Sequence, residues 1–238
     1  LANNNLISLP DNVVGLTNLK ELNLMYNKIN RLPERIGYMC SLLRLGIANN
    51  VLEALPITFG ALNLMERIDL EHNQLTVLPE NLDQLLSCRS FNVNNNKLLR
   101  LPRCVGRMPS LTSFSASCNQ LTYIPSQFTI SLTLTCLRLN VNQITHLPDR
   151  FGDLTQLVEL NMDYNKIRYA SFMYYNVYIL YSCLCVSFQI IVMINTTTLH
   201  MKYIHTPNIH YSLPSYTRYA HNTLHTLHTM HYTLYTIL

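Results

Sequence analysis

Histidine and cysteine are the residue types in this sequence best suited to nucleophilic, proton-transfer or metal chemistry. His72 and His146 lie at non-equivalent positions, three units apart in the periodic pattern described below, so they cannot form a proton relay. Cys118 has no histidine or other general base at the matching place in the flanking units. The sequence also lacks a glycine-rich phosphate loop, paired metal ligands and a kinase signature. We therefore expect a protein that is not an enzyme, with no catalytic residue, metal site or cofactor.

A second group of histidines lies near the end of the chain, in a Thr-Leu-His run that contains His221, His225, His228 and His231. On a helix these four imidazoles would lie near one face and could bind a metal. The triplet pattern is also typical of low-complexity sequence. We favour the low-complexity interpretation.

The elements that position the remaining polar residues follow from an internal repeat. Asparagine recurs every 23 residues, and the residues around it recur as well, as in Leu22-x-Leu24-x-x-Asn27-x-Ile29-x-x-Leu32-Pro33. The repeated asparagines are Asn4, Asn27, Asn50, Asn73, Asn96, Asn119, Asn142 and Asn165. Eight copies in one register predict eight stacked coils.

Each position of the repeat has a physical role. The Leu-x-Leu alternation predicts a short strand with one face inward. An inward asparagine can bond the backbone groups exposed at the following turn, and its repetition predicts a ladder along the stack. Proline after the last leucine ends the extended segment. The return arm, as in Phe151-Gly152-Asp153-Leu154, predicts a short helical or 3₁₀ segment.

These motifs resemble the leucine-rich repeat family over residues 1–170. The 23-residue unit is similar to the intracellular class that includes Ras-pathway scaffold and Ras-suppressor proteins and the repeat domains of the Scribble and Erbin type. The resemblance implies an α/β fold: a curved solenoid of about eight repeats, with parallel short strands on its concave face and short helical or 3₁₀ arms on its convex face. Three departures, at Val14-Gly15, Asp83 and Thr129-Ile130-Ser131, should loosen the convex side without breaking the stack.

The outward strand positions of such a solenoid form its concave face, which we expect to bind a protein partner. The pattern is of mixed sign at both ends, and neutral and polar in the middle. The candidate binding residues are Glu21, Asn23, Arg44, Arg67, Asp69, Glu71, Asn92, Asn94, Arg138, Asn140, Glu159, Asn161 and Asp163. One hypothesis groups Arg44, Arg67, Asp69 and Glu71 as one charged anchor, with Arg138, Glu159 and Asp163 as a second. The alternative is an ordinary solvated face with weak ion pairs across strands.

Charge and cysteine content indicate which class of partner and which cellular compartment to expect. Residues 1–170 hold 15 of the 17 Lys and Arg and all 13 Asp and Glu, so they carry no basic patch of the kind that tracks nucleic acid. Seven cysteines form no even disulfide framework, which favours a reducing compartment. The start at Leu1 shows no secretory signal and indicates a fragment. We expect a cytoplasmic protein, with membrane association as the alternative.

The repeat pattern ends at residue 170. Residues 171–195 are uncharged and apolar, which is long enough for a transmembrane anchor with Cys183 and Cys185 as lipidation sites. Tyrosines inside the segment and the absence of a clear basic flank argue against an anchor. An aberrant extension, such as sequence read through past an exon boundary, is the favoured interpretation, and a packed cover for the last coil is the third. We expect residues 196–238, rich in His, Thr and Tyr, to be a disordered low-complexity tail.

The sequence therefore predicts a non-catalytic scaffold or adaptor that binds a protein on its concave face. The resemblance implies a role in Ras-type signal transduction, with a small GTPase or its effector as partner. Two alternatives remain open. One is a regulatory repeat segment of a larger kinase, phosphatase or cyclase, and the other is a membrane-anchored, receptor-like repeat protein.

Overall fold

The computed structural model describes residues 1–167, which form a stack of coils around one parallel sheet. Each coil contributes a three-residue strand, and each strand pairs only with its neighbours in the sequence. The strands are β1 (Glu21–Asn23), β2 (Arg44–Gly46), β3 (Arg67–Asp69), β4 (Ser90–Asn92), β5 (Ser113–Ser115), β6 (Cys136–Arg138) and β7 (Glu159–Asn161). The predicted extension to residue 170, the apolar segment 171–195 and the tail 196–238 lie outside the described residues.

The register of the sheet equals the period of the sequence. Leu22 pairs with Leu45, Leu45 with Ile68, and so on through Leu160, so equivalent positions lie side by side. The predicted eight coils yield seven strands within residues 1–167. The first coil starts at Leu1, in the register of Leu24 and already past the strand positions. Its backbone is hydrogen-bonded to the second coil, as in the Asn3 N–H donated to the Met25 carbonyl at 2.9 Å, and Ser8 forms an isolated parallel bridge with Arg31.

The interior is filled by the apolar positions of every coil. Leu24, Ile29, Ile36 and Met39 are fully buried, and their equivalents repeat this along the stack. In β4 and β5 phenylalanine takes the inward strand position, and Phe91 packs edge-on against Phe114 with ring centroids 6.0 Å apart. Each coil buries its apolar side chains against the next coil, which is how a repeat stack acquires a continuous core.

The repeated asparagines form a hydrogen-bond ladder inside the turn that follows each strand. The side-chain oxygen of Asn50 accepts from the Ile29 N–H at 2.9 Å, and its nitrogen donates to the carbonyls of Leu24, Ile47 and Ala48. The same four-bond pattern is made by Asn27, Asn73, Asn96, Asn119, Asn142 and Asn165. Asn4 is exposed, and its side chain bonds only the carbonyls of Leu1 and Ala2.

The convex arms are short 3₁₀ helices, as the sequence predicts. They span Asp11–Gly15, Ile36–Tyr38, Ile57–Ala61, Leu82–Gln84, Arg103–Arg107, Ser126–Ile130 and Phe151–Asp153. Pro56, extended at φ −65° and ψ 150°, precedes the third arm, and its carbonyl accepts the Phe59 N–H at 2.9 Å. Proline therefore ends the extended segment and starts the return arm in one step.

Glycine in the arm allows neighbouring arms to pack closely. A Cβ on Gly106 would lie 2.3 Å from the Gln127 carbonyl oxygen, whereas a Cβ on Gly15 would meet nothing within 4 Å. Asp83 takes this position in the fourth arm and forms an ion pair with Arg107 at 2.8 Å. The coils that contain the departures at Asp83 and Gly15 thus still form a 3₁₀ arm at the same place as the other coils.

Candidate functional site

The outward side chains of the strands form rows that cross the sheet. Parallel pairing sets Asn23, Gly46, Asp69, Asn92, Ser115, Arg138 and Asn161 side by side, and Glu21, Arg44, Arg67, Ser90, Ser113, Cys136 and Glu159 in a second row. We call this surface, with the outward residues that follow each strand, the concave face. Most of these side chains are exposed or half-buried, but Ser115 and Ser117 are each only 6% exposed. Two short serine side chains therefore form the floor at the centre of the face.

Two of the arginines on this face form ion pairs across neighbouring strands. Arg138 binds both carboxylate oxygens of Glu159, at 2.6 and 2.8 Å. This pairing lowers the pKa of Glu159 and raises that of Arg138. Arg44 pairs with Glu21. Both arginines are thus neutralised within the face.

Arg67 differs from these two arginines. It is exposed, and within residues 1–167 its side chain forms no hydrogen bond or ion pair. Its two neighbours in the second row are Arg44, a like charge, and the neutral Ser90. The first charged anchor predicted from the sequence is therefore divided: Arg44 pairs with Glu21, and Arg67 remains free.

The acids Asp69 and Glu71 are held by amides of the next coil. The Asn92 amide nitrogen donates to Asp69 and to Glu71, at 3.1 Å each, and the Asn95 nitrogen donates to the other Glu71 oxygen at 3.1 Å. Burial raises the pKa of Asp69, helped by the nearby Glu71 charge and opposed by its hydrogen bonds. Two adjacent carboxylates are therefore fixed in position without a full counter-charge.

A further row lies just beyond the strand ends, two residues before each ladder asparagine. We call it the axial row, and its members on five successive coils are Glu71, Asn94, Ser117, Asn140 and Asp163. The backbone ladder continues past the strands here, because the N–H groups of His72, Asn95, Cys118 and Val141 donate to the axial-row carbonyls of the next coil at 2.8 to 3.0 Å. The row is thereby held in the same register as the sheet.

Within residues 1–167, the hydrogen bonds of Asn94 and Asn140 engage their side-chain oxygens and leave their side-chain nitrogens free. The Asn94 oxygen accepts from the Ser115 hydroxyl and from the Ser117 N–H, both at 2.7 Å. The Asn140 oxygen accepts from the Ser117 hydroxyl. In the described part of the chain, neither asparagine side-chain nitrogen has an acceptor. Both amides thus present N–H donors at the concave surface, oriented by the bonds that hold their oxygens.

Asp163 closes the row with a carboxylate that forms no side-chain hydrogen bond or ion pair within residues 1–167. Burial raises its pKa. In the same coil, the Asn161 oxygen accepts the Asp163 N–H at 3.1 Å, as Asn23 does for Met25 and Asn92 for Asn94. The second predicted anchor is therefore also divided, because Glu159 pairs with Arg138 and Asp163 stands apart.

A feature that the sequence analysis missed lies one residue after the axial row. Asn3, Tyr26, Asn49, His72, Asn95, Cys118, Val141 and Tyr164 all adopt left-handed backbone conformations, with φ between 52° and 57°. The residue types vary too much to reveal the requirement, although three of the eight are asparagine, the non-glycine residue that most readily accepts this conformation. The turn separates the outward axial row from the inward ladder.

Burial disfavours the reactive form of three of the thiols on the described coils. Five cysteines, Cys40, Cys88, Cys104, Cys118 and Cys136, are free. Burial raises the pKa of Cys88 to about 12 and also raises that of Cys104 and Cys136, which disfavours a reactive thiolate. Among the residues that the structure describes, no three metal-ligating side chains converge.

Searches with the sequence found no matching family model and no matching curated protein. Comparison of the structure found similar solved structures that are leucine-rich-repeat proteins. A leucine-rich-repeat protein of Leptospira interrogans is 30% identical over 69% of this chain and 48% of its own, with a TM-score of 0.55. The chain thus spans about half of that relative. It is a leucine-rich-repeat solenoid, with its strands on one face and its 3₁₀ arms on the other.

Two further similar structures were solved with their ligands. One is the ectodomain of the Arabidopsis thaliana membrane receptor kinase GASSHO1/SCHENGEN3 in complex with Casparian strip integrity factor 2, at 27% identity and a TM-score of 0.63. The other is from the Toll–Spatzle complex of Drosophila, at 28% identity and a TM-score of 0.64. They match 67% and 68% of this chain, which covers 20% and 23% of theirs. Within residues 1–167, no helix has the length and apolar character needed to span a membrane.

Proposed function

We propose that the chain is a non-catalytic scaffold or adaptor that binds a protein partner on its concave face. The observation that carries the proposal is that some charged side chains on that face form ion pairs and others do not. Arg67 and Asp163 remain unpaired there, while Arg44 and Arg138 are neutralised by neighbouring glutamates. Unpaired charges held on a rigid sheet are suited to orienting a partner.

The proposed cellular role is Ras-type signal transduction in the cytoplasm, with a small GTPase or its effector as partner. The support is the 23-residue repeat and its resemblance to intracellular scaffold and suppressor proteins. The five free thiols of the described coils fit a reducing compartment.

A second candidate is a receptor-like protein that uses the same face for an extracellular ligand. The observation in its favour is the similarity to solved receptor structures, which include the ectodomain of a membrane receptor kinase. In that case the repeats would be the ligand-binding segment of a longer, membrane-anchored protein. The two candidates share the face and differ in compartment and partner.

A matched pair of charge reversals tests the proposed face. Arg67→Glu acts on the concave face, and Arg103→Glu acts on a convex 3₁₀ helix; both arginines are exposed and form no ion pair within residues 1–167. The immobilised 238-residue chain and the two variants would capture proteins from lysate for identification by mass spectrometry. We expect Arg67→Glu to lose a small GTPase or GTPase effector that the wild type and Arg103→Glu retain.

Equal capture by all three proteins would contradict binding at the concave face. Loss of a secreted ligand rather than a cytosolic protein would contradict the signalling role and favour the receptor-like candidate. Thermal unfolding of each variant would show that the fold is intact, because neither arginine has a partner to lose.

A further inference from the structure

We propose that the axial row binds an extended, basic peptide segment of the partner, with two cationic side chains six residues apart. The inference rests on the proposed function, because it names the chemistry of the partner at the same face. The row begins and ends with a carboxylate, at Glu71 and Asp163, and carries two unused amide donors between them.

The charge of the face selects a basic partner. Its outward positions carry five carboxylates and three guanidinium groups: Glu21, Asp69, Glu71, Glu159 and Asp163 against Arg44, Arg67 and Arg138. After the pairs of Arg44 with Glu21 and Arg138 with Glu159 are formed, three carboxylates and one arginine remain. An anionic segment would meet this excess of negative charge, whereas a cationic segment is attracted to it.

The two carboxylates at the ends of the row, Glu71 and Asp163, differ in their hydrogen bonding. Both Glu71 oxygens accept amide hydrogen bonds from the next coil, which fixes the carboxylate, and 33% of its side chain stays exposed. Asp163 is half-buried and unpaired within residues 1–167. A lysine or arginine at Asp163 would gain a charge-assisted hydrogen bond without breaking an ion pair. At Glu71 it would approach a carboxylate whose one ion-pair contact within residues 1–167 is with His72, 3.8 Å away.

The middle of the row suits a peptide main chain. Asn94 and Asn140 each have a free N–H donor, and the short, buried Ser117 lies between them. Carbonyl oxygens of an extended segment are the natural acceptors for these donors, and the low floor at Ser117 leaves room for the backbone. These N–H donors can bond the main-chain carbonyls of a peptide of any sequence. Specificity for one peptide over another therefore comes from the carboxylates at the two ends of the row.

The spacing of the coils sets the spacing of the ligand. Strands about 4.8 Å apart place Glu71 and Asp163, four coils apart, at about 19 Å, and Asn94 and Asn140, two coils apart, at about 10 Å. A polyproline II chain rises about 3.1 Å per residue, so six residues span about 19 Å and three span about 9 Å. Both distances along the row therefore fit the same extended conformation.

The probe is a fluorescent, end-capped peptide, Lys-Pro-Pro-Ala-Pro-Pro-Lys, with lysines six residues apart. Two controls keep its length: Pro-Pro-Lys-Ala-Pro-Lys-Pro has the same composition and charge with lysines three apart, and Glu-Pro-Pro-Ala-Pro-Pro-Glu reverses the charge. Fluorescence anisotropy would be measured with the purified 238-residue chain. We expect the probe to bind about tenfold tighter than either control.

Matched variants of the chain locate the site. Glu71→Gln and Asp163→Asn should each weaken binding of the probe about tenfold. Glu80→Gln and Asp149→Asn make the same chemical changes at exposed positions beside the convex arms and should leave binding unchanged. Equal affinity for the two lysine spacings, or equal loss in the convex variants, would overturn the proposal.

The lysate experiment separates this proposal from the proposed function. If the Arg67→Glu variant loses a partner while the probe does not bind, the basic-peptide inference is wrong and the binding face stands. If the probe binds as expected and its binding competes with the captured partner, both are supported. If the probe does not bind, and the wild type and both arginine variants capture the same proteins equally, the basic-peptide inference and the proposed binding face are both wrong.

Discussion

The ladder and the axial row are two polar rows with the same 23-residue period, two positions apart in the sequence. In the ladder, the amide oxygen and nitrogen of each joined asparagine are both engaged by backbone groups, as for Asn119. In the axial row, the Asn94 and Asn140 oxygens are engaged, and their nitrogens remain free. The asparagine side chain thus stabilises the fold where both its oxygen and its nitrogen are engaged, and can bind a partner where only its oxygen is engaged.

The strongest test of this comparison removes a ladder side chain. Asn119→Ala leaves the Leu98 N–H and the carbonyls of Val93, Ala116 and Ser117 without their side-chain partner in a buried turn. The three carbonyls each keep another donor, from the Asn96 and Asn142 side chains and the Asn95 N–H, whereas the Leu98 N–H loses its one partner. A buried group left unsatisfied costs about 1–3 kcal/mol, so we expect a loss of about 3 kcal/mol, measured by urea unfolding.

Asn4→Ala is the matched control for the ladder. Asn4 has the same place in the repeat but is exposed, and its side chain bonds only within its own coil. We expect a change below about 0.5 kcal/mol. Equal effects of Asn4→Ala and Asn119→Ala would mean that the bonds between coils contribute nothing measurable.

Acidification tests the axial row without any substitution. A lysine binds the ionised form of Glu71 or Asp163, so protonation removes the attraction. Burial raises the pKa of Asp163, and affinity for the two-lysine peptide should therefore begin to fall at a higher pH than an ordinary aspartate would give. We expect about a tenfold loss once Asp163 is protonated, measured by anisotropy across a pH series. A flat series down to the pH of acid unfolding would contradict a role for Asp163.

The sequence predicted the ladder and the strand register more completely than the axial row. A strict 23-residue spacing of asparagine and leucine determines which positions lie side by side, so the repeat frame and the 3₁₀ arms followed from it. Which charges pair depends on side-chain conformation across strands, and residue types alone did not separate Arg67 from Arg44. The eight predicted coils give seven strands within residues 1–167 because Leu1 lies past the strand positions of the first coil.

The left-handed turn between the two rows was also not predicted, and Val141 is its least suitable occupant. A β-branched side chain at φ 55° is strained, whereas asparagine accepts this conformation. We expect Val141→Asn to raise the free energy of unfolding by about 1 kcal/mol and Asn49→Val to lower it by about the same amount. Urea unfolding would measure both. Changes of the same sign would show that side-chain contacts, rather than backbone strain, dominate at this position.

The smallest expected effects distinguish a carboxylate that stabilises the fold from one that does not. Arg138 lowers the pKa of Glu159 in the folded chain, so Glu159 contributes stability above its ordinary pKa and loses it as pH falls through the lowered value. Burial raises the pKa of Asp163, so its charge opposes folding at neutral pH and this cost disappears as pH falls through the raised value.

The two substitutions should therefore change stability in opposite directions at pH 7. We expect Glu159→Gln to lower the free energy of unfolding and Asp163→Asn to raise it, each by a few tenths of a kcal/mol because solvent screens both groups, and the urea midpoints should shift in the same directions. Near pH 3, where neither difference in ionisation is fully present, the variants should approach the wild type. Because Asp163→Asn should also weaken the peptide, a more stable variant that binds less would place Asp163 among the residues kept for binding. A lower midpoint for Asp163→Asn would instead assign this carboxylate a structural role.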